Sequence, residues 1–425
     1  MSGIFTSATE RLADDERSYY KMTKTNTHRL SYATKNKIRS TISYTVRTVA
    51  MMFAHGPLMQ TFLSVVGFDS YLIYIHSSLI QAANVLTLLL FSSWANNGCP
   101  IRRSAFTTIP TGLLFLFYIP IAISSNASIE AYILLAGVAV AQQVSVGLFT
   151  ICEYKVPYYI YSKDEYGMML SICGVVSSLL SLGSGALISY LTTVFSFKDI
   201  MIVAFVMSAV FMFIAFLSTI TQKNLLEDDP SDTPTDKKER KLVSIAALLK
   251  NSTFTHLIGA NLMRGFSAGI IGVLATVALD LGHNESLTAA MVSAGSAASL
   301  ISCAFFAISA KKIPPTILLI VGSLTIGLTP ILLVNSSTVY LAVYTVVTIG
   351  RTLVDYSVPA MLIKVVPLEI AGSYNAWRLL IQNAGSLIAT TVAPLLPIPL
   401  LLAMTAVFMI IAGFSFHTVC KRAAK

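Results

Sequence analysis

At 425 residues, with 55% hydrophobic and only 12% charged side chains and a mean hydropathy of +0.73, the chain carries about half the charge of a soluble protein. Apolar runs of about 18 residues or more recur along it, each long enough to cross a ~30 Å hydrocarbon core as a helix, and their continuity excludes alternating barrel strands. The net charge of +9 is no nucleic-acid signature, because 24 of the 29 Lys and Arg gather in two tails, one linker and every second loop.

Residues 1–41 are polar and basic, without the short apolar core of a removable signal, and are expected to form a cytoplasmic tail. Part of Tyr19–Ser40 has the makings of a basic amphipathic helix lying on the membrane surface; a disordered tail is the other reading. Six spans then follow at 42–66, 70–93, 104–123, 130–153, 166–192 and 198–220, making an N-terminal six-helix bundle over 42–220. The stretch 221–253 breaks the apolar pattern. Between Lys223 and Lys241 it holds six acidic and five basic residues with Pro230 and Pro234, so it is expected to stay solvated as a linker. Six more spans at 254–280, 286–309, 314–334, 338–363, 372–394 and 397–418 make a C-terminal bundle over 254–418, followed by a tail over 419–425. The placement of Lys and Arg puts both termini and the linker in the cytoplasm, and the protein in the inner or cell membrane as a multi-pass, all-α chain.

The halves repeat one another. An offset of 208 relates Arg103 to Lys311, Gln143 to Arg351 and Tyr166 to Tyr374, and an offset of 209 relates His55 to Arg264. Twelve spans in a 6+6 repeat about a charged linker resemble the major facilitator superfamily over essentially the whole chain. The loop SSWANNGCPIRRSAF is similar to a degraded form of the family's G-x-x-x-D-R-x-G-R-R loop, keeping Gly98, Arg102 and Arg103 while Ala95 or Asn96 stands where the acid belongs. In span 4, Gln143-x-x-x-Gly147 replaces the family's R-x-x-x-G, and span 5 lacks the Gly-Pro motif of drug antiporters. The resemblance implies two pseudo-symmetric bundles working by alternating access, with spans 5 and 8 facing each other and Arg102 and Arg103 taking part in switching.

Charge inside the membrane marks the candidate site, since each ionised group at the centre costs at least about 2.5–3.5 kcal/mol. Arg264 lies near the middle of span 7, flanked by Gly265, Ser267 and Gly269; a structural arginine bonded to backbone carbonyls is the plainer reading. His55 lies at similar depth in span 1 beside Gly56 and Pro57, a kink signal. Family members that carry organic phosphates place two basic residues at the centres of spans 1 and 7, which the resemblance transfers to His55 and Arg264. Arg351 and Asp355, four residues apart on span 10, share one face and can pair either as a structural bridge or as a switch. Gln143, Asn261 and Gln382 are further substrate-binding candidates, with Gln142 and Asn383 beside them. Arg378 is a coupling or interface residue, and Arg47 an anchor at the membrane edge.

No metal-ligand cluster, cofactor motif or nucleophile–base arrangement is visible, and the five cysteines form no disulfide framework, so no enzyme is expected. Two deep arginines against one deep carboxylate make the path neutral to positive, which suits an organic anion better than a cation. The sequence therefore reads as a monomeric secondary transporter of a small polar, anionic solute, with Asp355 and His55 available for protons, embedded in membrane lipids. Two other readings share the fold: a proton-coupled exporter of hydrophobic compounds or lipids, and a non-transporting sensor.

Overall fold

Without water the backbone must close its own hydrogen bonds, so apolar runs in a bilayer become helices. The computed structural model describes residues 34–91, 100–124, 127–153, 166–223, 252–309, 312–365 and 368–423, with residues 32, 156, 160, 249 and 250. Among these, ten helices are long and apolar enough to cross a membrane, and the bent pair Ser252–Gly272 and Leu274–Asp280 makes an eleventh. The helix Leu368–Val392 is 25 residues long but more polar, since it carries Arg378, Gln382 and Asn383. Twelve spans are consistent with this count.

Span 1 is Thr34–Val66, span 2 Ser70–Phe91, span 3 Pro100–Leu116 continued by Tyr118–Ser124, span 4 Ile129–Glu153, span 5 Tyr166–Leu191 and span 6 Phe197–Ile220. Span 7 is the bent pair. Span 8 is Glu285–Ser309, span 9 Pro315–Ile326 with the 3-10 turn Thr329–Leu333, span 10 Ser337–Val365, span 11 Leu368–Val392 and span 12 Ile398–Ala423. Span 10 runs through Pro359 as one helix.

Span 1 starts earlier than hydropathy places it, at residue 34 instead of 42. Its polar first turns are held by span 6. The Asn36 side chain donates to the Lys223 carbonyl at 2.7 Å and accepts from the Lys223 N–H at 3.0 Å, while Arg39 donates to the Thr221 carbonyl. Residues 34–40 thus extend span 1 and do not lie on the membrane as a separate surface helix. The rest of the tail apart from Tyr32, residues 224–248 and 251 of the linker, and the loop residues Ala95, Asn96 and Gly98 lie outside the described residues, as does Lys311.

Spans 1 and 7 are both interrupted. In span 1 the helix opens at 53–56, where Gly56 takes φ +70° and ψ −153°, a conformation only glycine adopts freely, and Pro57 starts the second limb without needing an N–H partner. In span 7 the limbs bend by 51° around Val273. Pro57 and Leu274, which open the two second limbs, are 217 residues apart.

Each half has its own core. Phe62, Phe115, Tyr118 and Phe205 pack ring on ring in the first half, with Phe62 and Phe205 edge to face at 5.5 Å. Phe266 and Phe408, and Phe254 and Tyr374, do the same in the second. Small residues close the seam between the halves, as expected for spans 5 and 8: a methyl at Gly185 would come 2.8 Å from Ser293 Oγ.

Candidate functional site

The candidate site is set by how span 7 seats on span 11. Gly265 lies against the backbone of Gln382, and Gly385 against that of Leu262, so closely that neither position admits a side chain. Ser386 Oγ donates to the Gly265 carbonyl at 2.7 Å, and Ser267 Oγ donates to the Thr405 carbonyl of span 12 at 2.9 Å. This contact fixes the register of Arg264, which is 6% exposed.

From there the guanidinium reaches two helices. Its Nη1 donates to Gln382 Oε1 at 3.1 Å, and its Nη2 donates to Asp355 Oδ1 of span 10 at 2.5 Å. The second carboxylate oxygen, Oδ2, stands 3.7 Å from Arg351 Nε, an ion pair too long to be a good hydrogen bond. The Asp355 and Arg351 side chains are each 43% exposed, whereas the Arg264 side chain is 7% exposed. Asp355 therefore holds a buried arginine with one oxygen and a half-exposed one with the other.

Arg378 and Asn261 border this group. Arg378 is buried one turn before Gln382, and its Nε has no hydrogen-bond partner among the described residues. Tyr374, one turn earlier on the same face, sets its hydroxyl 3.5 Å from Asn261 Nδ2. That nitrogen donates to the Leu257 carbonyl at 2.7 Å, while Asn261 Oδ1 is buried without a partner among the described residues. Spans 7, 10 and 11 thus bring together Arg264, Arg351, Asp355, Gln382, Asn261 and Arg378.

The structure does not bring His55, Gln143, Arg102 or Arg103 to them. His55 sits at the break of span 1, with both ring nitrogens buried and no hydrogen bond of good geometry among the described residues. Gln142 is used up within the first half, accepting from Tyr118 Oη at 3.1 Å and donating to the Thr111 carbonyl at 3.3 Å. Gln143 is buried on the face of span 4 where Gly147, one turn on, abuts Thr87 of span 2. Arg102 and Arg103 open span 3 on its outer side.

Counted from the start of the second limb, Arg264 lies ten residues before Leu274 and Arg47 ten residues before Pro57. Arg47 is half-buried, 13 residues beyond the start of span 1 at Thr34, and its guanidinium lies 3.7 Å over the centre of the Phe149 ring.

Two features were not legible as site elements in the sequence. The serines of spans 5 and 8 line a cavity of about 310 Å³ between the halves. Ser177, Ser178, Ser181, Ser296 and Ser299 meet Thr348 and Tyr344 of span 10 there. Thr348 lies one turn before Arg351, so the cavity adjoins the arginine–aspartate pair. At the opposite end of the bundle from the linker, Gln60 spans the seam. Its Nε2 donates to the Gly272 carbonyl at 2.7 Å, and its Oε1 accepts from the Thr276 N–H at 3.1 Å and the Thr276 hydroxyl at 3.0 Å. These are groups that the break in span 7 leaves unpaired within its own helix. Thr61 and Thr288 join hydroxyls at 2.7 Å, and Tyr74 Oη donates to Asp280 at 3.0 Å across the same seam. That end is closed.

The family profile described as Major Facilitator Superfamily matches residues 40–390. Among solved structures, a D-xylose–proton symporter is similar with a TM-score of 0.67 and 12% identity, over 91% of this chain and 97% of that one. A bacterial homologue of the iron transporter ferroportin, in its outward-facing state, is similar with a TM-score of 0.63 and 13% identity, over 92% and 99%. Among curated protein sequences none matches.

Proposed function

This chain belongs to the major facilitator superfamily, and from that premise we propose that it carries a small polar organic anion across the cytoplasmic membrane. Its two six-helix halves rock about the site by alternating access, with both termini and the linker in the cytoplasm. The observation that supports the anion is the sharing of Asp355 by Arg264 and Arg351. Two guanidinium groups on one carboxylate leave a positive surplus, which a carboxylate or phosphate on the solute offsets. The hydroxyl-lined cavity next to Arg351 receives the uncharged part of the solute.

The same geometry suggests the coupling. A proton on Asp355 frees both arginines for the solute anion, so proton and anion favour each other's binding, and by linkage the effect is mutual. His55, buried at the break of span 1 and apart from this group, is a second protonatable group in the proposed coupling. Gln382 and Asn261 orient the solute, and Arg378 adds positive charge beside it.

The test is a thermal-stability screen of the purified full chain against organic anions, sugar phosphates, sugars, amines and lipids, with Arg264→Ala alongside. A ligand at a hundred times its Kd stabilises the folded state by about 2.7 kcal/mol. Stabilisation by one class of anion that disappears in Arg264→Ala supports the reading. Stabilisation by amines or lipids alone overturns it and favours an exporter of hydrophobic compounds.

A further inference from the structure

The hydrogen bonds around the cavity between the halves have a direction. Eight hydroxyl side chains line it, and among the described residues no amide, amine, guanidinium or carboxylate does. Four of the eight commit their proton to their own helix. Thr48 Oγ1 donates to the Tyr44 carbonyl at 2.8 Å and Ser177 Oγ to that of Gly174 at 3.1 Å. Ser296 Oγ donates to the Val292 carbonyl and Thr348 Oγ1 to that of Tyr344, both at 2.9 Å. A fifth, Ser299 Oγ, lies 3.4 Å from Thr352 Oγ1, whose own proton goes to the Thr348 carbonyl at 3.0 Å, so Ser299 is the donor of that pair. A hydroxyl whose proton is engaged keeps lone pairs that accept. These oxygens come from spans 1, 5, 8 and 10, so both halves present acceptors to whatever fills the cavity.

From this pattern we infer that the solute is a polyhydroxylated organic anion, a sugar acid or a polyol phosphate. Its hydroxyls donate to Thr48 and Ser177 of one half and to Ser296, Ser299 and Thr348 of the other. The inference rests on Arg264 and Arg351 seating the anionic group, and adds the chemistry of the body attached to it. An aliphatic body would leave the acceptors unmet. A body that only accepts would have to pull a serine or threonine proton off a helix carbonyl, breaking a bond the helix already has. An ammonium would find neutral oxygens alone in the cavity, with Arg351 next to it, and its desolvation would go uncompensated. Thr348 precedes Arg351 by one turn, ~4.5 Å along the helix, so hydroxyls on the carbons next to the anionic group reach the wall. The volume of about 310 Å³ equals that of about ten waters at ~30 Å³ each, room for a body on the order of ten non-hydrogen atoms. Hydroxyls that donate to both halves also bridge the seam, so the solute favours the state in which the halves are close.

The experiment sets short sugar acids and polyol phosphates, gluconate and glycerol phosphate among them, beside carboxylates and alkyl phosphates of equal chain length without hydroxyls, and beside the uncharged polyols. Binding to the purified full chain is read by calorimetric titration in the parent, in Ser177→Ala with Ser296→Ala, and in Arg264→Ala. At least one hydroxylated anion is expected to bind roughly tenfold or more tighter than its partner without hydroxyls. The serine double variant is expected to shrink that ratio severalfold by weakening the hydroxylated member alone, whereas Arg264→Ala weakens both members alike. Thr348→Val keeps the side-chain shape, must also shrink the ratio, and serves if the double variant does not fold. Partners without hydroxyls that bind as tightly, a ratio unchanged in the variants, or no binding of any hydroxylated anion at millimolar concentration each overturn the proposal. The first two of these leave the anion site at Arg264 standing. Uncharged polyols that bind as tightly as the anions, with Arg264→Ala indifferent, overturn the anionic reading itself.

Discussion

Arg264 of span 7 and Asp355 of span 10 meet at 2.5 Å although 91 residues separate them in sequence. The contact ties together two helices of the second half and sets the charge that an incoming solute meets. Because Arg264 is buried and Asp355 half-exposed, the two ends of the bond respond differently to mutation.

Asp355→Asn leaves Arg264 facing a neutral amide. A stability loss of about 1–3 kcal/mol is expected, below the 3–5 kcal/mol of a fully buried pair because water reaches the carboxylate. If the solute anion competes with Asp355, affinity for it holds or rises in this variant while proton-dependent uptake falls. Calorimetric titration and a pH-jump uptake assay separate the two; a tenfold loss of affinity would contradict the competition.

Arg264→Ala removes charge-assisted hydrogen bonds of about 1.5–3 kcal/mol each, so affinity for the anion should drop between tenfold and more than a hundredfold. Arg264→Lys keeps the charge but loses the two-armed reach to Asp355 and Gln382, and an intermediate affinity is expected. Equal binding by the parent and both variants, measured by the same titration, would remove Arg264 from the solute site.

Gln60→Leu strands the Gly272 carbonyl and the Thr276 N–H at the break in span 7. An unsatisfied buried polar group costs about 1–3 kcal/mol, so the closed state of that end should lose population severalfold. Thr61→Cys paired with Thr288→Cys, in a chain whose native cysteines are replaced by serine, reports closure through the rate of disulfide formation. A rate unchanged by Gln60→Leu would show that the glutamine is no lock.

Gly265→Ala drives a methyl into the Gln382 backbone and should destabilise by at least about 2–3 kcal/mol, with loss of anion binding as Arg264 shifts. Gly259→Ala, on the same helix with open space around it, should be neutral or stabilising by up to about 1 kcal/mol. Unfolding midpoints in detergent compare the two, and similar midpoints would refute close packing of spans 7 and 11 as the cause.

Which residues share a helix face was readable from spacing alone. Arg351 and Asp355 pair as four residues on a helix must, and the kink at Gly56 and Pro57 lies where a glycine before a proline puts it. The partner of Asp355 on another helix was not readable. In the sequence Gln60 is one polar residue in an apolar run, and only the broken end of span 7 shows what its amide is for.

The sequence by itself determined that the chain is a bundle of membrane helices in two related halves, since hydrophobic length and charge placement depend on composition along one dimension. It also determined that basic groups outnumber acids in the interior of spans 7 to 12. Only the tertiary structure decided which of those groups meet. Helical periodicity orients side chains around one axis, but the rotation and slide of one helix against another follow from close contacts such as Gly265 on Gln382 and Gly385 on Leu262.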